Sequence, residues 1–344
     1  MPLDEPRWWY RDRREIPTWA HALRPVATLY GNATARRMQA AKAHAHVPVI
    51  CVGNLTAGGS GKTPLVRHLV SQLCQRGARP AVLTRGHGGR LPGPVAVAET
   101  HTAADVGDEP KLIAEDDIPV IVARRRDLGA AFIARVFPDV DVIVMDDGLQ
   151  NRHLAFDLGL AAINPTRAIG NGEVIPLGPL RAPVDVQRAR VDAIVITGRR
   201  DPTIDWRCLD ALEPGPGRPL LEAGVRASNA EQFAGKRVFA FAGIANPERF
   251  FTLLDALNAD VVGSRTFADH AMLSDADVDE LIADARTSGA MLATTEKDLA
   301  RLDPSRPSHA RLAGMTTALA IWLTFEPRER DALDVLLDRV LKRG

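Results

Sequence analysis

Eight consecutive residues carry the clearest chemistry in the chain: Thr56-Ala57-Gly58-Gly59-Ser60-Gly61-Lys62-Thr63. Glycines at this density let backbone N–H groups converge on phosphate oxygens, and a helix that starts beside them adds partial positive charge. In a loop of this kind, Lys62 reaches the β and γ phosphates of a nucleotide and Thr63 binds Mg2+. Thr56 stands where the general pattern has its first glycine, so the match is imperfect at that end. A chance glycine-rich turn is disfavoured, because Gly-Lys-Thr falls between an apolar strand and a helical pattern.

Asp146-Asp147-Gly148 closes an apolar run over residues 140–145. An apolar strand that delivers carboxylates to the C-terminal edge of a parallel sheet places them where open α/β folds bind ligands, and a carboxylate there holds Mg2+ directly or through water. Alone, Asp-Asp-Gly more often marks a turn; joined to the loop at Lys62, it reads as the second half of a nucleotide site. Arg85-Gly86-His87-Gly88-Gly89 follows another short apolar run, at the same edge, and is either a ligand-facing loop or a flexible connection. Arg124, Arg125 and Arg126 follow a third, where planar guanidinium groups suit phosphate and a solvated charge run is the alternative. His270 beside Asp269, and Thr295-Glu296-Lys297-Asp298 at the end of an apolar strand, are further candidates. Neither decides anything alone, and the latter also suits a helix cap.

The elements that must position these residues alternate. Apolar runs at 47–52, 81–84, 120–122, 140–145, 158–163 and 193–197 are short and rich in branched residues. Helical patterns, as at 65–75 and 111–115, separate several of them. Strands alternating with helices predict an α/β fold with a parallel sheet and helices on both faces. A Pro- and Gly-rich stretch at 213–219 interrupts the series. A second, smaller α/β series restarts at Arg237, with a strand at 238–242, helices near 250–257 and 277–285, a strand at 290–294 and an end near 318–325. Residues 328–341 read as a charged amphipathic helix. Near the start, Trp19, Leu23, Val26, Tyr30 and Ala33 recur at helical spacing, with Arg24, Arg36, Arg37 and Lys42 on the remaining surface and Trp8-Trp9-Tyr10 ahead. Such a helix either lies at a lipid interface or packs on its own domain, and Pro25 is expected to break or kink it.

Composition narrows the class. At 344 residues the chain is long for a single core and fits two domains. Lys plus Arg balance Asp plus Glu at 43 each, which removes the basic excess expected of a nucleic-acid binder. Cys51, Cys74 and Cys208 form no CxxC pair and suggest neither a disulfide framework nor a zinc site. No stretch approaches the roughly 18 apolar residues of a spanning helix.

Taken together, the motifs resemble the tetraacyldisaccharide 4'-kinase family of the lipid A pathway. The resemblance rests on residues 49–64 (VICVGNLTAGGSGKTP), 85–89 (RGHGG), 107–110 (GDEP), 146–152 (DDGLQNR), 176–181 (PLGPLR), Asp269-His270 and 295–298 (TEKD). It implies a P-loop kinase that uses ATP and Mg2+ to phosphorylate the 4' hydroxyl of a tetraacylated glucosamine disaccharide 1-phosphate, giving the 1,4'-bisphosphate (lipid IVA) and ADP. By position it implies that Lys62 and Thr63 serve phosphates and metal, that Asp146 and Asp147 belong to the metal site with Glu109 as a further ligand, and that Asp108 with His270 activates the sugar hydroxyl. Arg85, His87, Arg124 and Arg126 remain candidates for substrate.

The resemblance also implies an arrangement of residues 1–45 as a membrane-contacting segment, 46–222 as the kinase core, 223–325 as a smaller lid and 326–344 as a terminal helix. The protein is then peripheral on the cytoplasmic face of the bacterial inner membrane. His87, Leu149 and Asn151 depart from the tyrosine, phenylalanine and histidine usual in the family. The rival reading, a GTPase or metal-delivery ATPase acting as a conformational switch, lacks an Asn-Lys-x-Asp signature and a Cys or His cluster. Oligomeric state is left open.

Overall fold

The computed structural model describes residues 5–114 and 118–342. In chain order its elements begin with α1 (Arg24–Gln39), β1 (Val49–Gly53), α2 (Lys62–Gln75), β2 (Pro80–Thr84), β3 (Val95–Ala96), α3 (Ala103–Val106), α4 (Asp108–Ile113) and β4 (Val120–Val122). There follow α5 (Arg126–Val136), β5 (Val142–Asp146), β6 (Leu158–Ile163), α6 (Val184–Arg188), β7 (Ala193–Thr197) and β8 (Leu220–Ala227). The rest is β9 (Arg237–Ala242), α7 (Pro247–Ala256), β10 (Asp260–Thr266), α8 (Asp275–Ser288), β11 (Met291–Thr295), α9 (Glu296–Ala300), α10 (Pro307–Met315), β12 (Thr316–Leu319), β13 (Ile321–Phe325) and α11 (Pro327–Leu341). The helix expected at 111–115 starts earlier, at Asp108; residue 115 lies outside the described residues.

Two compact units result. The first takes the described residues through 85, then 123–225 and those from 323 onward; the second takes 86–122 and 226–322. The sequence reading draws its divisions at 222/223 and 325/326, whereas here residues 86–122 group with the second unit and the last helix with the first.

In the first unit, β1, β2, β5, β6 and β7 are buried along their whole length, as continuous apolar runs require when both faces of a parallel sheet are covered. The strands lie in the order β13-β8-β7-β6-β1-β5-β2. β1 pairs in parallel with β5 on one side and β6 on the other, with Val52 opposite Asp146 and Leu160. The chain therefore crosses over β1 between β5 and β6, which makes the C-terminal edge of β1 a topological switch point, the place where open α/β sheets bind ligands.

The second unit holds a parallel sheet in the order β10-β9-β11-β12. Alternation along β9 sends Val238, Ala240 and Ala242 to a core with Phe233, Phe250 and Leu254. It sends Phe241 to the opposite core with Val278, Leu281 and Leu312. β3 and β4 pair antiparallel within the same unit.

The N-terminal segment corrects the expected role of Pro25. A 3-10 helix over Thr18–Leu23 gives way to α1, and Pro25 sits in the first turn of α1. A proline there starts a helix without strain, because the missing N–H has no intrahelical partner at that position. Ile16, Ala20 and Ala27 are buried with Leu177, and Trp9 Nε1 donates to Pro176 O at 3.0 Å. Trp19, Val26, Leu29 and Tyr30 face outward, with Leu29 73% exposed.

Candidate active site

The loop after β1 turns into α2 at Gly61, whose φ of +74° favours glycine; a Cβ there would lie 2.6 Å from Thr197 Oγ1. Gly58 also takes a positive φ, +85°. Thr56, the position that departs from the general pattern, is buried in an antiparallel bridge with Leu180, and its carbonyl accepts from Arg181 Nε at 3.0 Å. An extended residue serves there, so a glycine is not needed. Ser60 Oγ is buried and, among the described residues, has no hydrogen-bond partner.

β5 carries the acidic pair to the same edge. Asp146 is 1% exposed and its Oδ2 accepts from Thr84 Oγ1 at 3.1 Å. Asp147 follows with φ +48°, a left-handed turn that brings its carboxylate to Arg181 Nη1, 3.0 and 3.1 Å away, and to Lys62 Nζ at 3.8 Å. Burial pushes this carboxyl up, but Lys62, Arg181 and Arg126 outweigh it and hold it well below the usual carboxylate range.

The three arginines after β4 part company. Arg124 and Arg125 are exposed, and Arg125 pairs with Asp127 at 2.6 Å. Arg126 is 3% exposed and donates to the carbonyls of Ala123 (2.6 Å) and Asp146 (3.0 Å), so it braces the end of β5; burial pushes it down to about 10. Arg85 lies exposed in the first unit.

The second unit assembles a different cluster. Gly107, at φ +97°, turns the chain into α4, so that Asp108 opens that helix with its side chain 5% exposed. Its Oδ2 accepts from Arg301 Nε at 2.8 Å and lies 2.7 Å from Arg301 Nη2, 3.1 Å from His270 Nδ1 and 3.7 Å from Lys297 Nζ. Burial raises the Asp108 carboxyl, yet the His270 hydrogen bond with Lys297 and Arg301 brings it well below the usual range. Lys297 also reaches Glu109 Oε1 at 2.9 Å, and Arg301 Nη1 donates to Asp298 Oδ1 at 2.7 Å. Asp298 in turn accepts from Thr295 Oγ1 and Gly243 N. His270 itself sits at φ +60°, with the His87 ring 5.7 Å from its own.

The structure thus brings Lys62, Asp146 and Asp147 together in one unit, and Asp108, Glu109, His87 and His270 in the other. Three cations central to these clusters carry no role that the motifs alone imply. Arg181 and Lys297 lie inside quoted motifs, and Arg301 lies outside all of them, although it stands three residues after Asp298 on a helical pattern. Among the described residues no three His, Cys, Asp or Glu side chains form a group that could hold a metal ion.

The family model described as Tetraacyldisaccharide-1-P 4'-kinase matches residues 19–342. The chain belongs to this kinase family. A protein named tetraacyldisaccharide 4'-kinase from Bradyrhizobium diazoefficiens is 48% identical over 303 residues, 87% of either chain. One of the same name from Nitrobacter hamburgensis is 45% identical over 341 residues, 98% of each. A crystal structure of LpxK from Aquifex aeolicus in complex with ATP shares the fold, with a TM-score of 0.70 over 94% of this chain and 100% of its own at 24% identity.

Within a chain of this kinase family, the three departures have visible settings. Leu149 is 1% exposed and packs over the end of β1, where a Cβ on Gly53 would meet its Cγ at 2.7 Å. Asn151 spends its amide locally, accepting from His153 N at 2.8 Å and donating to Leu154 O at 2.6 Å. His87 stands against His270.

Proposed function

We propose that this protein transfers the γ-phosphoryl group of ATP to the 4' hydroxyl of a tetraacylated glucosamine disaccharide 1-phosphate, giving the 1,4'-bisphosphate and ADP. The observation that carries the reading is a family match spanning residues 19–342 in a chain whose phosphate loop, Lys62 and Asp147 converge at a sheet switch point. The residues fit a magnesium-bound triphosphate. Ser60 offers a buried hydroxyl with no hydrogen-bond partner among the described residues, Gly61 has no room for a Cβ, and the Lys62–Asp147 separation of 3.8 Å is loose enough for the ammonium to turn to phosphate. Mg2+ is commonly held by one or two carboxylates plus phosphate oxygens, so Thr63, Asp146 and Asp147 of the first unit would suffice without a protein cage, and Glu109, which meets Lys297 in the second unit, stays a candidate only.

MgATP supplies the phosphoryl group and neutralises its charge in flight. Lys62 and the loop amides hold the phosphates. As the acceptor oxygen bonds to phosphorus and the bond to ADP breaks, the hydroxyl proton goes to the Asp108–His270 pair. A carboxylate tied twice to Arg301 is a weak base. Asp108 therefore serves best by accepting a hydrogen bond from His270 Nδ1–H, which leaves Nε2 to take the proton. Arg85, His87 and Arg124 remain the substrate-facing candidates; Arg126 instead braces the end of β5 through the carbonyls of Ala123 and Asp146.

We also infer that the N-terminal segment meets the cytoplasmic face of the inner membrane. Trp19, Val26, Leu29 and Tyr30 present apolar surface outward, with the exposed Arg24, Arg36 and Arg37 available to anionic lipid. No helix among the described residues is long and apolar enough to cross a membrane.

Purified protein incubated with MgATP and the tetraacyl disaccharide 1-phosphate in detergent tests the reaction. New phosphate located at the 4' oxygen by mass spectrometry and NMR is expected. ATP hydrolysis with an unmodified acceptor would instead favour the conformational-switch reading.

A further inference from the structure

The phosphate loop is held from behind by side chains of three separate strand ends. Asn54, just past β1, donates its Nδ2 to Gly58 O at 3.0 Å. Asn164, just past β6, donates its Nδ2 to Gly59 O at 2.7 Å. Thr197, the last residue of β7, donates its hydroxyl to Ser60 O at 2.8 Å. All three side chains are buried, at 0%, 4% and 1% exposure. The amide orientation of Asn164 is fixed independently, because its Oδ1 accepts from Thr166 N and Thr166 Oγ1 at 2.8 and 2.9 Å.

A trans peptide is planar, and its C=O and N–H point in opposite directions. Three consecutive carbonyls drawn toward Asn54, Asn164 and Thr197 therefore turn the N–H groups of Gly59, Ser60 and Gly61 away from those side chains. We propose that Asn54, Asn164 and Thr197 are positioning residues that preset three consecutive loop amides for the phosphates of the nucleotide. The inference rests on the nucleotide reading above and adds to it which residues establish the amide geometry before a ligand arrives. Thr197 has a second effect. Its Oγ1 occupies the space where a Cβ on residue 61 would fall, so the same hydroxyl that orients the Ser60–Gly61 peptide also demands glycine there.

The test is equilibrium binding of a fluorescent ATP analogue with Mg2+ to the full chain, with thermal unfolding measured without nucleotide. Thr197→Val keeps the shape and removes the donor; Thr197→Ser keeps the donor; Asn164→Asp keeps the acceptor for Thr166 and places an oxygen against Gly59 O. Thr197→Val and Asn164→Asp should each weaken binding roughly tenfold, the size of one well-placed hydrogen bond, while Thr197→Ser stays within about twofold of wild type. If Thr197→Val does not fold, Asn164→Asp alone carries the test. Wild-type affinity in the donor-removing variants would overturn the positioning role, as would a loss in Thr197→Ser equal to that in Thr197→Val. Wild-type protein that binds no nucleotide would overturn the parent reading, a result separate from any difference among variants.

Discussion

Two charged clusters in this molecule are built in opposite ways. In the first unit, Asp147 meets Lys62 and Arg181 at a partly open edge, with the carboxylate side chain 30% exposed and the ammonium at 3.8 Å. In the second, Asp108 and Arg301 are 5% and 6% exposed and joined by contacts of 2.7 and 2.8 Å, with Asp298 on the far side of the guanidinium. The first is an ion pair that a ligand can dissolve and replace. The second is a closed network in which each charge is needed to keep the next one buried. On the proposed reading, the nucleotide site exchanges its partners at every turnover, whereas the group that orients the proton acceptor must not move.

The largest effect should come from the exchangeable cluster. Lys62→Ala is expected to reduce phosphoryl transfer by at least about 10³-fold, since on the proposed reading it removes the charge that meets the transferred group, with thermal stability little changed. Turnover near wild type in this variant would remove Lys62 from the site.

Stability should reverse the ranking. Arg301→Met removes the guanidinium shared by two buried carboxylates and is expected to cost about 3 kcal/mol in denaturant unfolding. Arg181→Met, which breaks a partly exposed pair, should cost about 1 kcal/mol or less. Equal losses would erase the contrast between a locked and an exchangeable cluster.

Acid sharpens it further. The Asp108 carboxyl lies below its unfolded value of about 3.9, so the stability it contributes is complete above that pH and is lost as pH falls toward its folded value. Unfolding midpoints recorded from neutral pH downward should therefore fall more steeply below about pH 4 in wild type than in Asp108→Asn. Parallel curves would show that Asp108 is not held as described.

The smallest effect concerns the outward apolar face. Val26→Ser with Leu29→Ser should weaken binding to anionic vesicles by about tenfold without lowering thermal stability, because both side chains already face away from the core. Unchanged vesicle binding would leave that face without a lipid role.

The same contrast explains how far the sequence could be read. The phosphate loop is contiguous, and the strand before it is an unbroken apolar run, so residue order alone exposes both. β6 and β7 are legible for the same reason. The cluster around Asp108 draws on residues 243, 270, 297, 298 and 301, which only tertiary packing brings together, and Arg301 gives no signal beyond its spacing from Asp298. Arg181 was visible in a motif, but its task depends on the bridge between Thr56 and Leu180. β8 and β10 leave no such trace in the sequence, because their positions are largely exposed or half-buried and neither makes the apolar run that marks the other strands.

The division of labour between the clusters is tested most directly by measuring MgATP affinity and single-turnover transfer to the acceptor in Asp108→Asn. The account predicts nucleotide affinity within about twofold of wild type and transfer slowed by about 10²- to 10⁴-fold, the range for losing acid–base assistance. Transfer at the wild-type rate once the variant is saturated with nucleotide, with the loss confined to affinity, would contradict it.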